Sequence, residues 1–74
     1  MIHIGHKIKE VFDAMPRRYT VVWLAEQLHC TRPNVYDIFD RPTIDTALLE
    51  KISLVLNHDF FADLSADLHR QELT

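Results

Sequence analysis

Residues with recognisable chemistry gather in one short run, Thr31-Arg32-Pro33-Asn34-Val35-Tyr36-Asp37-Ile38-Phe39-Asp40-Arg41. Arg32 offers a planar fork of donors, and Asn34 an amide that both donates and accepts. Tyr36 offers a flat ring with a hydroxyl, and ionised Asp37 a carboxylate that only accepts. Among them Val35, Ile38 and Phe39 recur at helical spacing. If those three face inward, a step of about 100° per residue puts Pro33, Tyr36, Asp37 and Asp40 on the far side. Arg32 and Asn34 flank the first turn. Such a set reads the polar edges of a partner; it does not make or break bonds.

The rest of the chain adds no bond-making chemistry. It has no nucleophile spaced to a base, no glycine-rich phosphate loop and no acidic pair on one helix face, so no catalytic residue is expected. His3 and His6 stand one helical turn apart, and His29 adjoins Cys30. A metal needs three or four converging ligands, and two loose pairs do not supply them. Neither a metal nor a cofactor is expected. The single cysteine rules out an intrachain disulfide and fits a reducing compartment. Cys30 reads as a small packing residue rather than a reactive thiol.

Five helical segments position these residues. Ile4, Ile8, Val11, Phe12 and Met15 form one stripe, closed by Pro16. Thr20 is an N-cap candidate for a second helix with Val21, Leu24, Ala25 and Leu28 inward, and Trp23 lodges partly between helices. Thr31 caps a third helix, with Pro33 in its first turn and Pro42 beyond its end. Asp45 caps a fourth, with Leu48, Leu49, Ile52, Val55 and Leu56 as its stripe and Asn57 suited to a left-handed exit. Asp59 caps a fifth, with Phe60, Phe61, Leu64 and Leu68 inward, and the last residues fray. The lone glycine, Gly5, argues against a β-rich fold, whose hairpins lean on glycine. The expectation is a single all-α, compact five-helix domain over 1–74, with Leu24, Leu28, Val35, Ile52 and Leu56 in one core covered by Ile8 and Phe12.

Composition sets the outer bounds. The 74 residues are 47% hydrophobic, as in an ordinary globular domain. The longest apolar run, Val21-Val22-Trp23-Leu24-Ala25, falls far short of the roughly 18 residues of a spanning helix. No basic, then apolar, then small-residue pattern suggests export, so a cytoplasmic protein without membrane contact is expected. The net charge is −3, but residues 1–44 carry six basic groups against five acidic, and residues 45–74 two against six. Binding to a polyanion depends on the local field at the contact face rather than on the total.

Only His29-Cys30-Thr31 separates Leu28, which ends one stripe, from Arg32, which opens the next helix. Helices joined so tightly cross steeply, as in a helix-turn-helix, and the second can protrude into a major groove. At this point the sequence resembles the lambda-repressor-like family, also called the XRE or Cro/repressor family. Thr20-Val21-Val22-Trp23-Leu24-Ala25-Glu26-Gln27-Leu28 resembles the family's T-x-x-x-L-A-x-x-L helix. Thr31 to Ile38 stands in the place of its recognition helix. Leu49-Glu50-Lys51-Ile52-Ser53-Leu54-Val55-Leu56 resembles L-x-K-I-A-x-x-L, with Asn57 where glycine is usual. The resemblance spans about residues 4–66 and leaves a tail at 67–74. His29 stands where the family's turn has glycine, and Phe39 and Arg41 stand where glutamate and glycine often close the recognition helix.

The resemblance implies a sequence-specific DNA-binding transcriptional regulator, acting as a homodimer on half-sites about one helical turn apart. It puts groove contacts at Arg32, Pro33 and Asp37. Arg32 would bond guanine bidentately, Asn34 would reach a base edge or a phosphate, and Asp37 would accept from cytosine N4 or repel other sequences. Tyr36 either covers a thymine methyl or packs as a surface aromatic. Open N–H groups near Thr20 suit a phosphate, and Arg17, Arg18 and Arg41 are candidate phosphate contacts. Phe60, Phe61, Leu64 and Leu68 carry more apolar surface than a small core can cover, which makes them candidates for a dimer interface. The alternative is a protein-interaction or antitoxin-like module that uses the same fold, with weak or no DNA binding.

Overall fold

A computed structural model describes residues 1–71. Five helices follow one another: α1 (Ile4–Asp13), α2 (Val21–Gln27), α3 (Arg32–Asp40), α4 (Thr46–Leu56) and α5 (Phe60–Arg70). No strand forms among the described residues, and none of their helices is long and apolar enough to cross a membrane. Four of the five starts follow from one local rule, a side-chain oxygen accepting an otherwise orphaned N–H of the first turn. Thr20 accepts from Trp23, Thr31 from Asn34, Asp45 from Leu48 and Asp59 from Ala62. The start of α1 uses an imidazole instead: the His6 N–H donates to Nδ1 of His3 at 3.0 Å, with the two rings stacked 3.5 Å apart.

The ends obey local rules too. Asn57 takes the expected left-handed conformation at φ 51°, and the His58 N–H closes back to the Ser53 carbonyl at 3.0 Å. The end of α1 falls at Asp13, two residues before Met15, which packs half-buried from the following turn. Residues 67–70, beyond the span of the resemblance, are the last turn of α5, while residues 72–74 lie outside the described residues.

One core joins all five helices: Ile4, Ile8 and Phe12 of α1, Leu24, Ala25 and Leu28 of α2 and its end, Val35, Ile38 and Phe39 of α3, Leu49, Ile52 and Leu56 of α4, and Phe60 of α5. The residues expected to build it are all present. α3 lies at its centre, packed against α1 and α2. Gly5 is what lets α1 approach so closely. The Ile4 and Gly5 N–H groups donate to the carbonyls of Pro42 and Arg41 at 3.0 and 2.8 Å. A Cβ on Gly5 would sit 2.5 Å from the Phe39 carbonyl and 2.6 Å from that of Arg41. Two orphan donors of α1 are thus satisfied by the chain leaving α3.

Only the first turn of α5 enters the core. Phe60 is fully buried, Leu64 is half-buried, and Phe61 and Leu68 are exposed. The four-residue inward stripe expected there reduces to Phe60 with partial cover from Leu64. Farther along, the Ile2 N–H donates to Oδ2 of Asp67 at 3.0 Å and ties the N-terminus to α5.

Candidate functional site

The junction of α2 and α3 is built by a left-handed residue. His29 has φ 54°, a conformation in which a side chain crowds the backbone. It allows two closing bonds, from the Cys30 N–H to the Ala25 carbonyl at 2.9 Å and from the His29 N–H to the Glu26 carbonyl at 3.2 Å. This pattern satisfies the Ala25 and Glu26 carbonyls near the end of α2 and turns the chain within a few residues. From α4, Nζ of Lys51 donates to the Leu28 carbonyl at 3.4 Å, a cation at the negative end of α2. The Thr31 cap then starts α3 at once.

α3 divides sharply into two sides. Val35, Ile38 and Phe39 are 0–6% exposed, whereas Arg32, Pro33, Asn34, Tyr36, Asp37 and Asp40 are all exposed. Arg32 makes no ion pair or hydrogen bond among the described residues, so its fork of donors faces solvent unengaged. Tyr36, 55% exposed, sets its ring edge-on to Phe39 at 6.3 Å, which steadies the base of the side chain and leaves the hydroxyl end outside. Asp37 is not the bare carboxylate that its position on the face suggests. Arg41 donates to its Oδ2 from Nε at 2.8 Å and from Nη2 at 2.6 Å. Both bonds land on one oxygen. The spacing of four residues was visible in the sequence and is the signal that would have found this pair.

Ahead of α2, the Arg18 guanidinium lies 4.8 Å from the centre of the Tyr19 ring, and Nη2 reaches the Tyr19 hydroxyl at 3.2 Å. Tyr19 in turn meets half-buried Trp23 edge-on at 4.7 Å. This stack anchors one cation beside the start of α2, and Arg17 is exposed next to it. Thr20 uses its oxygen on the Trp23 N–H at 3.1 Å, which leaves the hydroxyl hydrogen free to donate. The N–H groups of Val21 and Val22 have no partner within the helix. Cys30 is a half-buried free thiol that packs against the core.

The C-terminal candidates separate. Phe60 is withdrawn from any interface: it is fully buried, tilted against the His58 ring at 4.6 Å. Leu64 and Leu68 border a shallow hollow with Met1, Asp67 and Gln71, while Phe61 lies at the other end of α5 beside Leu54. The Asp67 carboxyl sits below the usual aspartate range, chiefly because the Ile2 N–H bonds to it; desolvation opposes this, and the terminal ammonium, Gln71 and Arg70 assist. Sequence reasoning missed the roles of Gly5, His3, Lys51 and Asp67. No model of a known family, no curated protein and no solved structure matches the chain.

Proposed function

We propose that α2, its turn and α3 form a helix-turn-helix of the lambda-repressor type, and that the chain is a sequence-specific DNA-binding transcriptional regulator of the cytoplasm. The observation that carries this reading is α3 itself. Its inner side is wholly core, and its outer side is an exposed row of hydrogen-bonding groups that starts directly after a tight turn. A helix presented in this way fits a major groove. Arg32 takes a guanine edge through its two-pronged donors, and Asn34 takes a neighbouring base edge or phosphate. Tyr36 covers a thymine methyl. Asp37 accepts from cytosine N4, with the Arg41 pair offsetting the repulsion its charge would meet in the groove. Arg17, Arg18 and the Thr20 hydroxyl hold phosphates beside α2, and Arg41 holds another beyond the end of α3.

The overall charge of −3 does not oppose this, because the acidic excess lies in residues 45–74, away from α2 and α3 in sequence. A homodimer would use Leu64, Leu68 and Met1, whose apolar surface is exposed or half-covered. Titrating the protein against mixed-sequence duplex DNA at several salt concentrations tests the reading without knowledge of the operator. Affinity that falls steeply as salt rises supports it. No binding even at low salt removes it.

A further inference from the structure

We propose that the open groove where α4 meets α5 is a docking surface for a second protein, and that its occupant is a basic amphipathic segment. The groove has a volume of about 480 Å³. Its apolar floor is Leu54, 75% exposed, and Phe61, 39% exposed. One exposed leucine is ordinary on a protein surface. Leu54 and Phe61 differ from scattered surface leucines in bordering one concavity, and the carboxylates beside them carry charge of a single sign. Glu50, one turn before Leu54, and Asp59, which starts α5, supply that charge. Neither forms an ion pair among the described residues. No lysine or arginine lines the groove, and His58 at the joint is held by Asp63, 2.6 Å from its Nε2.

Three kinds of occupant compete, and charge and shape choose between them. A small molecule needs walls that bury most of its surface, and this groove lies open to solvent along its length. A second copy docked about a two-fold axis would set Glu50 and Asp59 against the same carboxylates of its partner, a costly pairing at a drying interface. A helix with an apolar stripe flanked by lysine or arginine satisfies the floor and the rim together, in the familiar helix-in-groove mode. No residue of α3 lines this groove, so the surface stays available when α3 is engaged, and the proposal does not depend on DNA binding.

The test is a random-peptide display library panned against the full chain. The enriched peptides are expected to combine an apolar stripe with flanking lysine or arginine. Their affinity should drop roughly tenfold or more in Leu54→Asp and in Glu50→Lys, and should weaken with salt. Both positions are exposed, so each variant should melt as the parent does. Glu10→Ala, exposed on α1 and outside this groove, should leave peptide affinity unchanged. The proposal fails if no peptide is enriched, if enriched peptides are acidic, or if Leu54→Asp and Glu50→Lys bind them as the parent does. It also fails if sedimentation finds a dimer that Leu54→Asp dissolves, because a second copy then owns the groove.

Discussion

Gly5 and His29 are two residues whose types follow from backbone geometry in opposite senses. At Gly5 the missing side chain is required, because three carbonyls at the end of α3 occupy the space a Cβ would take. Alanine normally stabilises a helix by about 0.5–1 kcal/mol relative to glycine. Here the clash with backbone dominates, and Gly5→Ala is expected to destabilise the fold by about 1–3 kcal/mol, the usual range for overpacking. Urea unfolding of the variant checks this, and unchanged or raised stability would mean that α1 is not seated on α3 in this way. At His29 a side chain is present where the backbone favours none. His29→Gly is expected to stabilise by about 0.5–1 kcal/mol, since relief of the left-handed strain exceeds the added freedom of the unfolded chain. A lowered melting temperature would contradict the turn described for Leu28 to Thr31. The sequence carried only half of this. His29 stands where the resembled family's turn has glycine, whereas nothing near Gly5 in the chain announces partners more than 30 residues away.

At the scale of elements, legibility followed the range of the interaction. The caps at Thr20, Thr31, Asp45 and Asp59 were readable because donor and acceptor lie three residues apart. The division of α3 into inner and outer sides was readable because Val35, Ile38 and Phe39 leave one arrangement that buries them all. α5 was readable in part: its apolar surface exceeds what the core covers, as expected, but periodicity does not show which residues of the stripe a neighbour covers. Only Phe60 finds the core, and Phe61 and Leu68 stay outside. The bonds from Lys51 to Leu28 and from Ile2 to Asp67 span 23 and 65 residues and have no local signature. Within α3, the Asp37–Arg41 pair gives its own prediction. An exposed pair of this kind contributes little to stability, about 0–1 kcal/mol, so Asp37→Ala should fold normally. If Asp37 reads a base, the variant should lose about 1–3 kcal/mol of binding on a selected operator and bind random duplex as the parent does. Stronger binding to random duplex would show instead that the carboxylate acts by repulsion.

Over the whole molecule, Ile2 is joined to α5 through Asp67, across 65 residues of chain, and that link depends on pH. The folded state holds the Asp67 carboxyl below its ordinary value, chiefly through the Ile2 N–H. A depressed carboxyl contributes stability above the unfolded value, about 3.9, and loses it as pH falls through the folded value. Asp67→Asn should therefore melt below the parent near neutral pH, and the gap should close under acid conditions, below about pH 4. A gap that persists in acid would place the effect in packing rather than in the charge.

The proposed DNA binding of the whole molecule stands or falls with α3. The most direct measurement is the affinity of the full chain for a selected operator and for random duplex, across a salt series, for the parent, Arg32→Ala and Arg18→Ala. The expected result is that Arg32→Ala loses about 1–3 kcal/mol on the operator and little on random duplex, because it reads a base. Arg18→Ala should weaken both alike and lower the salt slope by about one. If Arg32→Ala binds the operator as the parent does, α3 is not a recognition helix, and a protein-interaction or antitoxin-like role takes its place.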